Sequence, residues 1–234
     1  MLILQARMSS TRMPGKVLAP LLGEPMIIRQ LERLHRSQTM DEVVVATSTD
    51  PSDDVLAEAL ESHGETVRRG SLDDVLARYL TVIDEFDPQL VVRITGDNPL
   101  IDPGVIDRAV REHDEAGADY SSTGLSQRFP KGLDTEVVDP AALRRVVELG
   151  PDDYEREHVT PGVYRRPDLF RLNTVTQPVD RSNLRWTVDY PEDFAWATAV
   201  YERLYATNPT FGQEEVVALV ERDPSLNRTS ADVE

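Results

Sequence analysis

The chain has 234 residues, of which 40% are hydrophobic, and this is enough apolar material for one well-buried α/β domain. It contains no cysteine, which excludes disulfides, thiolate catalysis and cysteine-bound zinc or iron–sulfur centres. The formal net charge of −17 argues against non-specific binding of nucleic acid or of anionic lipid. No apolar run approaches the roughly 20 residues of a membrane span, and the apolar stretch over residues 1–4 is too short for a secretory signal. We therefore expect a cytoplasmic protein without a membrane or nucleic-acid partner.

Positive charge is concentrated near the N-terminus. Residues 1–40 carry six basic and two acidic side chains, whereas the rest of the chain is strongly acidic. Arginine supplies 23 of the 25 basic residues, and the two lysines are Lys16 and Lys131. A positive segment on a negative body is the pattern of a binding site for a small anion, although such a segment can also arise by chance.

Along the first half of the chain, the hydrophobic pattern predicts strands that alternate with helices. The predicted strands cover residues 2–4, 43–46, 65–68, 90–95 and 119–122. The predicted helices cover residues 24–37, 53–62, 71–86 and 103–116. In the first helix the apolar residues follow helical spacing, and we expect Arg29, Arg33 and Arg36 to face solvent. This alternation is typical of an α/β fold with a Rossmann-like, doubly wound and mostly parallel sheet.

Beyond residue 120 the alternation becomes less regular. The predicted elements there are helices at residues 140–149, 191–205 and 212–221, strands near residues 170–175 and 184–188, and an irregular stretch from 150 to 166. Such a departure often marks an inserted lobe, so we predict a single domain over residues 1–226 with a small lobe at about residues 124–180. The polar residues 227–234 are predicted to form a flexible tail.

The loop after the first strand, residues 5–16, has the composition of a phosphate-binding site. It contains Arg7, Arg12, Lys16, three hydroxyl residues beginning at Ser9, and Gly15, and it contains no acidic residue. Ligands of open α/β sheets bind beyond the carboxyl ends of the strands, where this loop lies. Guanidinium forks match phosphate geometry, and a lysine adds a point charge. The loop lacks the GxGxxG and GxxxxGK[ST] patterns, so its charge alone leaves a triphosphate site and a solvated basic loop as equal alternatives.

Two aspartates follow predicted strands at distant points of the chain. Asp97 comes after the strand at residues 90–95 and after Gly96, and Asp189 comes after the strand at 184–188. An aspartate at the carboxyl end of a strand faces the ligand crevice of such a sheet. The alternative is that each is a local cap, Asp97 of the following turn and Asp189 of the helix that begins with Pro191.

The segment LILQARMSSTRMPGKVLAPLLGEPMI, residues 2–27, resembles the N-terminal signature of the cytidylyltransferases that activate acidic sugars. This family includes the CMP-KDO and CMP-acylneuraminate synthetases, and the chain most resembles its spore-coat-polysaccharide type. The resemblance extends over about residues 2–205 and includes ITGDNPLIDP at residues 94–103 and RWTVDYPED at residues 185–193. It implies a fold of the nucleotide-diphospho-sugar transferase type.

The resemblance also implies roles for residues at the two ends of the predicted crevice. The residues implied in nucleotide binding are Gln5, Ala6, Arg7, Ser9, Arg12, Lys16 and Thr95. The residues implied in catalysis are Arg12, Lys16, Asp97 and Asp189, and the two aspartates are the implied Mg²⁺ ligands. Two Mg²⁺ ions about 3.5–4 Å apart could activate the attacking hydroxyl and neutralise the leaving pyrophosphate.

Two further segments, residues 130–137 and 154–161, resemble acceptor-side segments of the spore-coat type. An anionic sugar acceptor would need a cation, for which Lys131, Arg156 and Arg185 are candidates, and His158 and Tyr164 could bind hydroxyl groups. The predicted acceptor residues are Lys131, Asp134, Glu136, Arg156, His158, Tyr164 and Arg185. Taken singly, each of them is better explained as an ordinary surface or packing residue.

These observations predict a Mg²⁺-dependent cytidylyltransferase that transfers CMP from CTP to a hydroxyl of a sugar or sugar acid and releases pyrophosphate, for surface glycan or polysaccharide biosynthesis. One alternative is a glycosyltransferase with a nucleotide-sugar donor, although residues 96–98 lack the usual Asp-x-Asp pair. Another is a nucleotide-binding regulatory subunit with a degenerate site, which the complete set of cations and aspartates disfavours. The resemblance further implies a homodimer joined through the lobe.

Overall fold

The computed structural model describes residues 1–233. In the first half of the chain, every predicted strand and helix is present within a few residues of its predicted bounds. The elements are β1 (Leu2–Gln5), β2 (Pro20–Leu21), β3 (Glu24–Pro25), α1 (Met26–Leu34), β4 (Val43–Ser48), α2 (Asp54–Ser62), β5 (Thr66–Gly70), α3 (Val75–Phe86), β6 (Val91–Thr95), α4 (Pro103–Ala116) and β7 (Tyr120–Ser122).

The second half departs from prediction in two places. Its elements are β8 (Glu136–Val138), α5 (Pro140–Glu148), α6 (Asp153–His158), α7 (Pro161–Tyr164), β9 (Leu172–Thr174), α8 (Pro191–Leu204) and α9 (Gln213–Arg222). The stretch predicted to be irregular contains α6 and α7, because Asp152 and Glu155 form a reciprocal capping box at the start of α6. The strand predicted at residues 184–188 is wrong: the segment is irregular and forms only isolated bridges at Leu184 and Arg185.

One seven-stranded sheet, in the order β5-β4-β1-β6-β8-β7-β9, organises the described residues. β1 pairs in parallel with β4 and β6, and β4 pairs in parallel with β5. β8 runs antiparallel to both β6 and β7, and β9 is parallel to β7. The predicted mostly parallel α/β sheet is confirmed. Both β8 and β9 belong to the segment predicted as a lobe, and the structure places them in the main sheet.

Alternate residues of the central strands contribute to two cores, one on each face of the sheet. Leu2 and Leu4 of β1 pack with α1, α2, α4, α8 and α9, whereas Ile3 packs with α3, α5 and α7 on the other face. This two-sided burial is why the strands read as continuous apolar runs in the sequence. None of the helices within residues 1–233 is long and apolar enough to cross a membrane.

The arginines of α1 differ from their predicted exposure. Arg33 is 2% exposed and donates to the carbonyl oxygens of Ile101 (2.7 Å) and Phe211 (2.8 Å). Arg29 is also buried and donates to the carbonyl oxygen of Leu22 (2.8 Å). The expectation that these two side chains face solvent is wrong, because backbone carbonyl groups accept from them, those of distant residues at Arg33 and that of nearby Leu22 at Arg29.

The segment after α9, which includes most of the predicted flexible tail, contacts the domain. The backbone of Arg228 accepts a hydrogen bond from Arg185 N (2.9 Å), and Ser230 N donates to the carbonyl oxygen of Asn183 (3.0 Å). Leu226 is buried, and its carbonyl oxygen accepts from Trp196 Nε1 (2.6 Å). Residue 234, the last of the predicted tail, lies outside the described residues.

Candidate active site

The carboxyl ends of three chain segments meet at one edge of the sheet. The register pairs Gln5 of β1 with Thr95 of β6, so the basic loop that follows β1 lies beside Gly96 and Asp97. Val188 N donates to the carbonyl oxygen of Asp97 (2.8 Å), which brings the segment that carries Asp189 to the same place. The two aspartates, distant in sequence, therefore lie at the same edge of the sheet, Asp97 at the end of β6 and Asp189 on the irregular segment before α8.

A cavity of about 590 Å³ lies at this edge. Its lining includes the predicted nucleotide-binding, catalytic and metal-binding residues and one predicted acceptor residue. These residues are Gln5, Ala6, Arg7, Ser9, Arg12, Lys16, Thr95, Asp97, His158 and Asp189. Ser10, Thr11, Val17 and Gly96 complete the lining. The structure therefore places three cations of one loop opposite two carboxylates within a single cavity.

Lys16 lies between the two carboxylates. Its Nζ is 3.2 Å from Asp189 Oδ1 and 3.7 Å from Asp97 Oδ2, and it donates to the carbonyl oxygen of Val188 (2.6 Å). The lysine side chain is only 10% exposed. A buried ammonium in this position offsets the mutual repulsion of the two carboxylates and keeps a positive charge at the cavity wall.

Asp189 is bound by cations on both of its carboxylate oxygens. Arg12 Nη2 lies 2.7 Å from Oδ1, and Arg185 Nη2 lies 2.7 Å from Oδ2. Burial by itself would raise the pKa of Asp189, but Lys16 and the two arginines outweigh it and hold the pKa below its ordinary value. Asp189 is therefore ionised and able to bind a cation at neutral pH.

Asp97 is oriented by its own strand end. Thr95 Oγ1 donates to Asp97 Oδ1 (2.6 Å), and Asn98 Nδ2 donates to Thr95 Oγ1 (3.0 Å). A Cβ atom on Gly96 would lie 2.9 Å from the Cβ of Ala6, so the absence of a side chain there allows the close approach of the two loops. Thr95, predicted from the resemblance to bind nucleotide, lines the cavity and also fixes the rotamer of Asp97.

The basic loop is held by Asp53, a residue that sequence reasoning treated only as a helix start. Asp53 is fully buried, and its carboxylate accepts hydrogen bonds from Met8 N (2.6 Å) and Ser48 N (3.2 Å). Gly15, with φ of 74°, turns the chain back so that its N–H donates to the carbonyl oxygen of Met8 (3.0 Å). An acid at the first turn of a helix carries no sequence signal that it binds another loop.

Asp193 is a second residue that the sequence did not identify. It is 1% exposed, and its Oδ2 accepts from the backbone N–H of Asp189 (3.0 Å) and of Tyr190 (3.1 Å). Arg185 Nη2 and Arg228 Nη2 pair with its two oxygens at 3.1 and 2.7 Å. Burial would raise the pKa of Asp193, but these partners hold it below its ordinary value. This residue fixes the backbone at Asp189.

The predicted acceptor cations lie outside the cavity. Lys131 is exposed, and its backbone pairs with the segment of Arg185, as shown by Lys131 N donating to the carbonyl oxygen of Leu184 (2.9 Å). Arg185 is 4% exposed and is engaged by Asp189 and Asp193, so it is not free to bind an acceptor. Arg156 pairs with Asp74 (2.7 Å).

The remaining predicted acceptor residues fall into two groups. His158 lines the cavity and packs against the ring of Tyr154, with centroids 4.3 Å apart. The other three lie outside the cavity lining. Glu136 pairs with Arg93, Tyr164 packs against Tyr120, and Asp134 accepts from Gly132 N (3.1 Å). Of the predicted acceptor set, only His158 lines the cavity, whereas Arg185 contacts Asp189 without lining it.

The carboxylates of the cavity fit a metal that is shared with a substrate. Within residues 1–233, no group of three or more histidine, aspartate or glutamate side chains is arranged to hold a metal. Asp97 and Asp189 each have an oxygen within 3.7 Å of Lys16 Nζ, so the two carboxylates flank one cation. Mg²⁺ is commonly held by one or two carboxylates together with phosphate oxygens and water, and this donor set matches that requirement.

Comparisons with known proteins agree with this geometry. The sequence model of the family described as Cytidylyltransferase matches residues 1–222. The chain is 33% identical over 229 residues to the spore coat polysaccharide biosynthesis protein SpsF of Bacillus subtilis, covering 95% of this chain and 94% of that protein. A cytidylyltransferase structure from Leptospira borgpetersenii superposes with a TM-score of 0.91 at 29% identity, covering 97% of this chain and 95% of the other.

A more distant structure is similar in fold. CMP:2-keto-3-deoxy-manno-octonic acid synthetase, solved in complex with CTP, superposes with a TM-score of 0.65 at 16% identity. The alignment covers 86% of this chain and 98% of the other. At this identity the likeness shows a common fold, the mostly parallel α/β sheet.

Proposed function

Because the chain belongs to the cytidylyltransferase family, we propose that it transfers CMP from CTP to a hydroxyl of a sugar or sugar acid, with release of pyrophosphate, in polysaccharide biosynthesis. The observation that carries this proposal is the cavity in which Arg7, Arg12 and Lys16 face Asp97 and Asp189. Nucleotidyl transfer depends mainly on positioning and on charge neutralisation, and this cavity supplies groups for both.

The cations of the basic loop would bind the triphosphate of CTP. Arg12 and Lys16 each interact with Asp189 in the free protein, and both can instead neutralise phosphate oxygens when the nucleotide enters. Arg7 and Ser9 line the same wall and would donate further hydrogen bonds. These contacts would stabilise the negative charge that develops on the departing pyrophosphate.

Asp97 and Asp189 would hold Mg²⁺, with two ions as the proposed number. The bound metal would supply charge neutralisation at the phosphates and would favour loss of the proton from the acceptor hydroxyl. The chain itself orients the two carboxylates, through Thr95 at Asp97 and Arg185 at Asp189. The support for this part of the proposal is the donor set, which suits a metal shared with phosphate oxygens.

The acceptor would enter beside His158, because this is the predicted acceptor residue that lines the cavity. Its exposed imidazole can donate a hydrogen bond to an acceptor hydroxyl. An anionic acceptor remains part of the proposal, with Lys131 and Arg156, which both lie outside the cavity lining, as its candidate cations. A homodimer joined through residues 124–180 and a cytoplasmic location also remain predictions.

The test is release of pyrophosphate from CTP in the presence of Mg²⁺ and a panel of sugar acids. We expect release that depends on CTP, on the metal and on one acceptor, and we expect Asp97→Asn to lower kcat by about 10²-fold or more. The matched control is Asp87→Asn, at an exposed aspartate after α3 whose left-handed backbone asparagine also tolerates.

Two outcomes would contradict the proposal. Near-normal turnover of Asp97→Asn would remove that carboxylate from the mechanism. Hydrolysis of a nucleotide-sugar without any pyrophosphate release from CTP would instead favour a glycosyltransferase.

A further inference from the structure

A chain of ion pairs runs from the C-terminal segment to Asp189. Arg228 donates to Asp193 Oδ1 through Nε (3.0 Å) and Nη2 (2.7 Å). Arg185 Nη2 then bridges Asp193 Oδ2 (3.1 Å) and Asp189 Oδ2 (2.7 Å). The sequence of contacts is therefore guanidinium, carboxylate, guanidinium and carboxylate, and it ends at the wall of the cavity.

The members of this chain are poorly accessible to water. Asp193 is 1% exposed and Arg185 is 4% exposed, and the side chain of Arg228 is 16% exposed. Breaking a buried ion pair by removal of one partner is costly, because the remaining charge is left without compensation. Loss of the Arg228 guanidinium would therefore leave the negative charge of Asp193 to be balanced by its remaining partners.

The backbone of the C-terminal segment contacts the same part of the structure. Arg185 N donates to the carbonyl oxygen of Arg228 (2.9 Å), and Leu184 forms an antiparallel bridge with Thr229. On its other side, the segment around Arg185 pairs with Lys131, where Trp186 N donates to the Lys131 carbonyl oxygen (2.7 Å). The irregular segment that leads to Asp189 is thus held between residue 131 and residues 228–230.

We infer that Arg228 is a positioning residue, through which the C-terminal segment fixes the carboxylate of Asp189 for catalysis. This inference rests on the proposed cytidylyltransferase function. Arg228 lies beyond residues 1–222, which the family model matches. Arg228 is one of the two arginine partners of Asp193. Because Asp193 has this second partner, Arg185 can bind Asp189 as well.

Loss of the Arg228 guanidinium would redistribute these contacts. Asp193 would then depend on Arg185 alone for a cationic partner, and Arg185 would move toward it at the expense of its bond to Asp189 Oδ2. Outer partners of metal ligands commonly change metal affinity or activity by about 10–100-fold when they are removed. A displaced Asp189 would affect metal binding and turnover more than the binding of CTP, whose phosphates contact the basic loop.

The experiment compares Arg228→Ala and Arg228→Lys with the wild-type protein. The matched control is Arg203→Ala, which removes a half-exposed arginine of α8 whose carboxylate partner, Asp223, is 3.7 Å away. For each protein, kcat and KM for CTP are measured, together with Mn²⁺ binding in the presence of CTP without acceptor, followed by electron paramagnetic resonance. Thermal unfolding gives the fraction of folded protein.

We expect Arg228→Ala to lower kcat about 10–100-fold and to weaken Mn²⁺ binding, with little change in KM for CTP. Arg228→Lys should recover part of both losses, because the charge remains but the fork geometry is lost. Arg203→Ala should match the wild-type protein.

Wild-type kcat and Mn²⁺ affinity in folded Arg228→Ala would overturn the inference, as would equal losses in Arg203→Ala. A lowered melting temperature with unchanged kcat per folded molecule would also overturn it, since Arg228 would then be merely structural. If the wild-type protein itself releases no pyrophosphate from CTP, the proposed function fails. In that case Mn²⁺ binding still tests the link that runs from Arg228 through Asp193 and Arg185 to Asp189.

Discussion

At the level of single residues, Lys16 contacts both carboxylates of the cavity. Its ammonium group lies within 3.7 Å of both Asp97 and Asp189, and it also donates to the carbonyl oxygen of Val188. It is one of only two lysines in the chain, and the other, Lys131, is exposed outside the cavity lining. The two lysines therefore provide a natural pair of variants with the same chemistry at different places.

We expect Lys16→Met to raise KM for CTP and to lower kcat by about 10²-fold or more, because the proposed neutralisation of the reacting phosphates by this charge is lost. Lys131→Met should leave KM for CTP unchanged and affect mainly KM for the acceptor. Steady-state measurements of pyrophosphate release, with each substrate varied in turn, separate these effects. Equal effects of the two substitutions on KM for CTP would contradict the proposed role of Lys16 in binding CTP.

At the scale of elements, the cavity depends on the close approach of the loops that follow β1 and β6. Gly96 N donates to the carbonyl oxygen of Gln5 (2.8 Å), and a Cβ at residue 96 would lie 2.9 Å from the Cβ of Ala6. Asp53, at the start of α2, fixes the other end of the β1 loop through Met8 N. Gly96 after β6 and Asp53 before α2 thus hold the β1 loop at two points, and together they determine where its cations lie.

We expect Gly96→Ala to lower the free energy of unfolding by about 1–3 kcal/mol, because overpacking forces the β1 loop away from β6. The same movement should weaken CTP binding. Urea unfolding and calorimetric titration with CTP measure the two effects.

The control is Gly104→Ala in α4, where the new Cβ would meet only the end of the Asp102 side chain, at 3.2 Å. If Gly96→Ala has the same free energy of unfolding and the same affinity for CTP as Gly104→Ala, the close approach of the two loops is not required.

At the scale of the whole molecule, stability depends on acidic groups whose partners come from other elements. Asp107 of α4 is 7% exposed and accepts hydrogen bonds from Ser37 Oγ (2.6 Å), Gln38 N (2.9 Å) and Thr39 Oγ1 (2.9 Å). Burial would raise the pKa of Asp107, but these donors outweigh it and lower the pKa. The carboxylate joins α4 to the chain segment that leads from α1 to β4.

A lowered pKa in the folded state means that ionised Asp107 stabilises the fold at any pH above its unfolded pKa of about 3.9. This contribution is lost as the pH falls through the lower, folded pKa. We expect Asp107→Asn to reduce the free energy of unfolding by about 1–3 kcal/mol at pH 7, and the difference from wild type should shrink toward pH 3. Urea unfolding over a pH series measures it.

Asp114→Asn, at an exposed position of the same helix, is the control and should change little at any pH. If the difference in free energy of unfolding between wild type and Asp107→Asn stays constant down to acid pH, ionisation of Asp107 does not contribute to stability.

The order of the five main-sheet strands and four helices in the first half of the chain could be predicted from the sequence, as could the composition of the basic loop, whereas the short hairpin of β2 and β3 was not predicted. Both follow from local patterns, since apolar spacing reports which faces are buried and the cations of the loop lie within ten residues of one another. The placement of Asp97 at this edge was predictable as well, because carboxyl ends of strands in such a sheet share it, whereas Asp189 reaches the edge on an irregular segment that was wrongly predicted to be a strand.

Only the tertiary structure decided which groups surround each charge. Arg33 is buried because carbonyl groups of residues 101 and 211 reach it, and Arg185 is unavailable to an acceptor because Asp189 and Asp193 engage it. The link from Arg228 to Asp193 spans 35 residues and has no local pattern. Burial and ion pairing depend on how distant segments pack, and a single sequence records local propensity and periodicity but not these contacts.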